Sequence, residues 1–140
     1  LDLDQDILDL VSLNADANKQ EVSCIQSDIT DLEKFKLQVD VIISNPPYLL
    51  PEEKANMKKN VLKFEPHQAL FVPKGDPLIF YRNILIYAQE NLKSKGKIYF
   101  EINPLCELEI ENLIFSFDSY TITKRLDIFG MLRMLRLEKL

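Results

Sequence analysis

The sequence predicts an α/β fold built on a mainly parallel β-sheet, and three observations lead to this prediction. Residues 39–43 form a short apolar run rich in β-branched side chains, which is typical of a strand buried on both faces of a parallel sheet. The chain before this run alternates strand, helix and strand patterns, as in a doubly wound sheet. Two segments near the end, residues 120–126 and 131–137, alternate apolar and polar side chains and predict a last pair of strands.

Length and composition indicate a globular protein with its own core. The chain has 140 residues, of which 46% are hydrophobic and 28% charged, an ordinary balance for one domain. The formal net charge of −5 argues against a protein that holds nucleic acid through overall electrostatic attraction. A local basic cluster at Lys54, Lys58, Lys59 and Lys63 is compatible with this total. We therefore predict one domain over residues 1–140 and expect no direct binding of nucleic acid.

The cysteines and the hydropathy pattern indicate the cellular compartment. Cys24 and Cys106 lie in apolar surroundings without the spacing of metal ligands, so we expect free thiols in a reducing compartment and no metal site. No apolar run approaches the length of a membrane span, and no signal peptide pattern is visible. We therefore expect a cytoplasmic protein that does not enter a membrane.

The elements before the central strand follow from one capping residue and from apolar spacing. Residues 1–3 have the pattern of a strand end, and Asp4 is placed to cap a helix whose apolar residues recur at helical spacing. Residues 22–26 predict a second short strand. A polar connection over residues 31–38 leads from there to the central strand.

The elements after the central strand begin with a long polar segment over residues 49–72, and a connection of this length is usually functional. Asp76 and Pro77 then open a helix, by the preferences of capping residues and of proline in the first turn. Residues 98–102 predict another core strand, and residues 105–115 predict an amphipathic helix.

The central strand ends abruptly in the tetrapeptide Asn45-Pro46-Pro47-Tyr48. Neither proline has an N–H group, and the ring of Pro47 also disfavours the helical conformation at Pro46. The chain must therefore leave the sheet in a stiff, extended form, with Asn45 at the carboxyl end of the strand. Ligands bind at that end of the strands in open α/β sheets. The tetrapeptide is the leading candidate for a functional site, and the alternative is a plain turn after a buried strand.

The tetrapeptide has the groups that can present a planar N–H₂ group to an electrophile. The side-chain oxygen of Asn45 and the carbonyl of Pro46 can each accept one N–H from an amide or an amine. These two hydrogen bonds would direct the nitrogen lone pair outward, and the ring of Tyr48 offers a flat wall for the substrate. A strong general base is not needed if the nitrogen loses its proton after the attack. We predict that Asn45, Pro46, Pro47 and Tyr48 are the catalytic residues, and that Asn45, Pro46 and Tyr48 also contact the substrate.

The tetrapeptide resembles the (Asn/Asp)-Pro-Pro-Tyr signature of S-adenosylmethionine-dependent methyltransferases that modify amide or exocyclic amine nitrogens. The resemblance implies a Rossmann-like methyltransferase fold with an antiparallel final strand pair, and S-adenosylmethionine as the cofactor. It also implies that Asp2, at the end of the second strand, holds the ribose hydroxyls, and that Asp28, after the third strand, lies near the adenine amino group. Asn45 is expected to contact the cofactor as well. Carboxylates are common at strand ends and turns, so a structural role for Asp2 and Asp28 stays open.

The same family has a first strand and a glycine-rich loop that would precede Leu1. Three glycines are present, Gly75, Gly96 and Gly130, and none of them forms such a loop. We therefore expect a fold truncated at its N-terminus, as part of a longer protein, with one neighbour of the central strand missing. The 140 residues alone would then bind S-adenosylmethionine weakly or not at all.

Two further segments indicate one family among the methyltransferases that share the tetrapeptide. Residues 60–70, which contain Glu65 and Pro66, and residues 76–81 closely resemble the HemK-type protein-(glutamine-N5) methyltransferases. Those enzymes modify the glutamine of the Gly-Gly-Gln motif in peptide-chain release factors, so the resemblance implies a release factor as the protein partner. We expect Glu65 and Pro66 to bind substrate, with a solvated loop carboxylate as the alternative for Glu65. His67 is interpreted as non-catalytic because the reaction needs no base of its kind.

Two other functions stay open. DNA adenine and ribosomal-RNA guanine methyltransferases share the tetrapeptide, but they usually lack the Glu-Pro-x-x-Ala-Leu pattern found at residues 65–70. An inactive remnant that keeps only a protein-binding surface would account for the absent glycine-rich loop. The family also commonly has a glycine shortly after Glu101 and Ile102, where this chain has Asn103-Pro104. Arg133 falls where the family has an arginine in its last strand, and we interpret it as structural or as a surface residue.

Overall fold

The computed structural model describes the backbone of all 140 residues and every side chain except that of Glu33. Contacts within the chain divide it into two compact units, Leu1–Phe35 and Lys36–Leu140. One domain over residues 1–140 stays a prediction.

The first unit contains one long helix, and its start was predicted correctly. Helix α1 spans Gln5–Ala17, and the carboxylate of Asp4 caps it by accepting the N–H of Asp6 at 2.9 Å. A 3₁₀ helix over Ile29–Lys34 follows later in the unit and overlaps the start of the predicted polar connection over residues 31–38.

The predicted strand over residues 22–26 is wrong in extent. Only Asp2 and Gln26 pair, as a single parallel bridge. Residues 1–3 offer too short a partner for a longer ladder, and Val22 is 54% exposed. A β-branched composition does not form a strand where no second strand supplies the hydrogen bonds.

The second unit is built on a mixed four-stranded sheet. Its strands lie in the order β1-β2-β4-β3, where β1 and β2 are parallel and the other two pairs are antiparallel. The strands are β1, Val39–Ser44; β2, Leu92–Glu101; β3, Tyr120–Leu126; and β4, Leu132–Lys139. The antiparallel final pair expected from the resemblance is therefore confirmed.

Two helices cover one face of this sheet and form the core with it. Helix α4 spans Ile79–Asn91 and helix α5 spans Glu107–Phe115. The ring of Tyr81 on α4 meets that of Phe100 on β2 edge-on, with centroids 5.2 Å apart. The fully buried side chains of this layer come from both helices and from β2 and β4: Tyr81, Leu85, Ile98, Phe100, Ile110, Ile114, Leu135 and Leu137.

Strand β1 lies at an edge of the sheet and is more exposed than the sequence predicts. Ile42 pairs with Ile98 on the face covered by helices, whereas Ile43 pairs with Tyr99 on the opposite face. Ile43 is 79% exposed, so the prediction of burial on both faces is wrong for this chain. The reason is that β1 has one strand neighbour among the described residues, and its second face carries no helix of this unit.

The long polar segment after β1 contains three short helices. It contains a 3₁₀ helix over Pro51–Asn56 and two short helices, α2 over Lys59–Phe64 and α3 over His67–Leu70. Its two ends meet in a parallel bridge between Leu49 and Phe71. In the parts of the chain that the structure describes, no helix is long and apolar enough to cross a membrane.

Candidate active site

The tetrapeptide Asn45-Pro46-Pro47-Tyr48 follows β1 directly, as predicted, and its residues differ in exposure. Asn45 is exposed, Pro46 is buried, and Pro47 and Tyr48 are half-buried. Because both prolines fix their own φ angle, the chain leaves the sheet in one extended direction. Asn45 is thereby held at the carboxyl end of β1, directly before the buried Pro46 in the chain.

Tyr48 is anchored to the neighbouring strand. Its hydroxyl donates a 2.7 Å hydrogen bond to Oε1 of Glu101, the last residue of β2. Burial of the ring, together with this bond to a carboxylate, raises the pKa of Tyr48 to about 12, while the charge of Arg133 acts in the opposite direction. Arg133 also pairs with Asp127 at 3.5 Å, in keeping with its predicted structural role. Tyr48 is therefore a neutral hydrogen-bond donor at physiological pH.

The two predicted acceptors of the turn are the side-chain oxygen of Asn45 and the carbonyl of Pro46. Within the described residues, neither the side-chain oxygen of Asn45 nor the carbonyl of Pro46 accepts a hydrogen bond. Both are oxygen acceptors, separated by a short and stiff stretch of chain. They can bind the two N–H groups of one amide or amine.

Three partners of the turn were missed by sequence reasoning: Glu53, Glu101 and Asn103. Glu101 ends the strand that pairs in parallel with β1, and parallel strands bring their carboxyl ends to one edge of a sheet. This rule could have identified Glu101 from the sequence. The amide of Asn103 donates to the carbonyl of Tyr48 at 3.2 Å and to Oε2 of Glu53 at 2.6 Å. No pattern in the sequence marks this last contact, since it joins residues 50 positions apart.

Glu65 and Pro66 are exposed and lie between α2 and α3. The segment that carries them returns to the turn through the N–H of Leu49, which donates to the carbonyl of Leu70 at 3.0 Å. The ring of His67 has local contacts instead, with its Nε2 3.1 Å from the carbonyl of Leu62. These contacts agree with a structural role for the histidine.

The acidic residues Asp2 and Asp28 belong to the first unit. Oδ1 of Asp2 accepts the N–H of Asp4 at 3.0 Å. Oδ1 of Asp28 accepts both the N–H and the hydroxyl of Thr30, each at 2.7 Å, and these bonds lower the pKa of Asp28 below its ordinary value. In the described part of the chain, the second oxygen of each carboxylate has no hydrogen-bond partner. Each residue can thus accept a hydroxyl or amino donor from a ligand.

A pocket of about 610 Å³ lies on the face of the sheet opposite α4 and α5, and Asn45 is part of its lining. Apolar side chains from β1, β2 and β4 share it with two arginines, and its lining includes Ile43, Tyr99, Met134, Arg125 and Arg136. The carboxylate of Glu101, which holds Tyr48, is part of the same surface.

Comparison with known proteins identifies homologues of the chain. No family model matches it. It is 38% identical over 136 residues to release factor glutamine methyltransferase from Flavobacterium psychrophilum, a match that covers 97% of this chain and 48% of that protein. The chain is homologous to release factor glutamine methyltransferases. The protein of the same name from Bacteroides thetaiotaomicron is 36% identical over 135 residues, which are 96% of this chain and 49% of that protein. The chain thus spans about half the length of these methyltransferases.

Solved methyltransferase structures share the fold. A methyltransferase from Pyrococcus furiosus has a TM-score of 0.67 at 16% identity, over 98% of this chain and 59% of that one. TrmN from Thermus thermophilus has a TM-score of 0.62 at 19% identity, over 99% of this chain and 35% of that one. SMU.1697c from Streptococcus mutans, in complex with SAH, has a TM-score of 0.59 at 13% identity, over 99% of this chain and 73% of that one. The Rossmann-like methyltransferase fold expected from the sequence is confirmed.

Proposed function

We propose that the full gene product containing this chain methylates the side-chain amide nitrogen of the glutamine in the Gly-Gly-Gln motif of a peptide-chain release factor. The observation that carries the proposal is the pair of unpartnered acceptors on Asn45 and Pro46, held in a turn that Tyr48 anchors. A glutamine amide has the two N–H donors that such a pair can bind. The names of the curated relatives, which match nearly the whole chain, support the same substrate.

In this proposal the turn acts by orienting the amide. One N–H of the glutamine binds Oδ1 of Asn45 and the other binds the carbonyl of Pro46, so the nitrogen lone pair points away from the turn. The proline dihedral angles and the bond between Tyr48 and Glu101 hold these acceptors in place before the substrate arrives. Positioning and exclusion of water then supply much of the lowering of the barrier. The nitrogen releases its proton to solvent after the N–C bond forms, so the turn needs no basic side chain.

We propose S-adenosylmethionine as the methyl donor, which supplies an electrophilic methyl group on a sulfonium. Two carboxylates of the first unit fit its polar groups, because each keeps one oxygen without a partner among the described residues. We assign Asp2 to the ribose hydroxyls and Asp28 to the adenine amino group. The Asp28 carboxylate is ionised at neutral pH and is therefore an acceptor, and its bonds to Thr30 lower its pKa further. Asn45 would border the methyl donor as well as the glutamine.

The remaining contacts with the release factor are assigned to the segment after the turn. Glu65 and Pro66 are exposed there and accessible to a protein partner. Release factors work on ribosomes, so the proposal implies a cytoplasmic protein whose partner is another protein rather than nucleic acid.

Methyl transfer from radiolabelled S-adenosylmethionine tests this function. The full gene product is incubated in parallel with a release factor, with the same factor carrying Ala in place of the Gly-Gly-Gln glutamine, with DNA and with ribosomal RNA. We expect label in the unmodified release factor and none in the Ala variant. Label in adenine or guanine without label in protein would replace this proposal with nucleic-acid methylation.

A further inference from the structure

Asn103 is a buried polar side chain that lies just beyond the carboxyl end of β2. It is 3% exposed, and its amide group makes three hydrogen bonds. Its Nδ2 donates to the carbonyl of Tyr48 at 3.2 Å and to Oε2 of Glu53 at 2.6 Å. Its Oδ1 accepts the N–H of Leu105 at 3.0 Å. One side chain thus joins the turn, the 3₁₀ helix after it and the chain leading into α5.

Glu53 binds both Asn103 and the backbone of Leu50, two residues after Tyr48. The same Oε2 that accepts from Asn103 also accepts the N–H of Leu50 at 2.8 Å. The carbonyl of Tyr48 and the N–H of Leu50 are therefore both held by one pair of side chains. A hydrogen bond to a carboxylate is stronger than one between neutral groups, and burial of the amide reduces competition from water.

This pair fixes the backbone at the C-terminal end of the turn, where the side chain of Tyr48 also binds Glu101 of β2. At the other end, Ser44 pairs with Phe100 in the parallel ladder of β1 and β2. Between these two attachments the chain contains two prolines, which leave little freedom at their φ angles. The orientation of the acceptors on Asn45 and Pro46 consequently depends on both attachments.

We propose that Asn103 and Glu53 are positioning residues, which orient the Asn45 and Pro46 acceptors by clamping the backbone at Tyr48 and Leu50. The proposal rests on the function proposed above. Neither residue touches the substrate in this arrangement, and both act through the turn.

The test compares Asn103→Ala, Glu53→Ala and the double Ala variant of the full gene product. We expect each single change to lower kcat for glutamine methylation by roughly tenfold to a hundredfold, as expected for a misplaced reacting group, with little change in KM. The double variant should be no slower than either single variant, because the two side chains act as one unit. Additive losses, or an increase in KM at unchanged kcat, would overturn the positioning role.

Two further variants separate positioning from general damage. Glu53→Gln keeps a side-chain oxygen for both donors and should retain kcat within about threefold, since the geometry of the clamp survives. Asn112 is an exposed asparagine on α5, and Asn112→Ala should leave kcat unchanged. If Asn103→Ala does not fold, Glu53→Ala carries the test, because Glu53 is only half-buried.

Hydrogen exchange at the N–H of Leu50 gives a readout that does not depend on activity. Asn103→Ala and Glu53→Ala should both speed this exchange, while Asn112→Ala should not. Unchanged exchange in the first two variants would show that Asn103 and Glu53 do not hold the backbone at Leu50.

If the unmodified protein labels no release factor, the proposed function fails and the positioning role fails with it. If it labels the factor but Asn103→Ala keeps normal kcat, only the positioning role fails.

Discussion

The hydroxyl of Tyr48 lies 2.7 Å from the carboxylate of Glu101 and joins the turn after β1 to the end of β2. The parallel ladder between these strands already brings their carboxyl ends to one edge of the sheet. The hydrogen bond adds a side-chain contact between the same two ends. Tyr48 therefore stabilises the conformation of the turn, in addition to offering its ring to a substrate.

Removing this hydroxyl should destabilise the chain. We expect Tyr48→Phe to lower the free energy of unfolding by about 1 kcal/mol, a typical contribution for one partly exposed hydrogen bond. Urea denaturation of the 140-residue chain measures this change. Tyr99→Phe removes an exposed hydroxyl from β2 and should change the stability by less than about 0.5 kcal/mol. Equal stability of Tyr48→Phe and the unmodified chain would show that the bond contributes nothing.

Alkaline pH should destabilise the chain partly through Tyr48. Its pKa rises from 10.0 to about 12 on folding, because burial and Glu101 disfavour the phenolate. Above pH 10 the unfolded chain loses this proton while the folded chain keeps it, so the folded state binds more protons and stability falls. The contribution is complete below pH 10 and is lost as the pH rises through about 12.

The measurement is the unfolding free energy of the chain over this alkaline range. Tyr48→Phe should show a shallower fall than the unmodified chain, although other buried tyrosines, such as Tyr120, keep part of the slope. Identical slopes for the two proteins would mean that Tyr48 does not titrate in the expected manner.

Local signals in the sequence predicted the parts of the fold that depend on neighbouring residues. Asp4 caps α1, and the last two strands lie where the alternation of apolar and polar side chains predicted them. The tetrapeptide places Asn45 at the carboxyl end of β1, as predicted from two consecutive prolines that make the chain leave the sheet in an extended form. Each of these features is set by residue types that are adjacent in the chain.

Features that depend on distant partners were not predicted. Residues 22–26 have the composition of a strand, but pairing is limited to one bridge at Gln26. The contact between Asn103 and Glu53 joins residues 50 positions apart, and neither residue type is unusual at its own site. The composition of a segment indicates which secondary structure it prefers. Strand pairing and contacts between distant side chains also need a second segment at the right distance.

Two isoleucines on opposite faces of neighbouring strands test the exposure of β1. Ile43 is 79% exposed and Ile98 is fully buried. We expect Ile43→Ala to cost less than about 1 kcal/mol of unfolding free energy, whereas Ile98→Ala should cost about 2–5 kcal/mol through lost burial and a cavity. Urea denaturation of the 140-residue chain measures both. A large cost for Ile43→Ala would show that this face is covered in solution.

Asn45 provides the most direct test of the reaction. Asn45→Ala removes one of the two acceptors for the glutamine amide, and the loss should raise the barrier by about 2–4 kcal/mol, as for other deletions of a single positioning group at a reaction centre. Asn45→Asp keeps a side-chain oxygen in the same place and should be milder. Turnover of a release factor by the full gene product measures the effect, and calorimetric titration with S-adenosylmethionine checks that the methyl donor still binds. If Asn45→Ala binds the donor and methylates at a near-normal rate, Asn45 does not orient the amide, and the mechanism proposed for this turn is wrong.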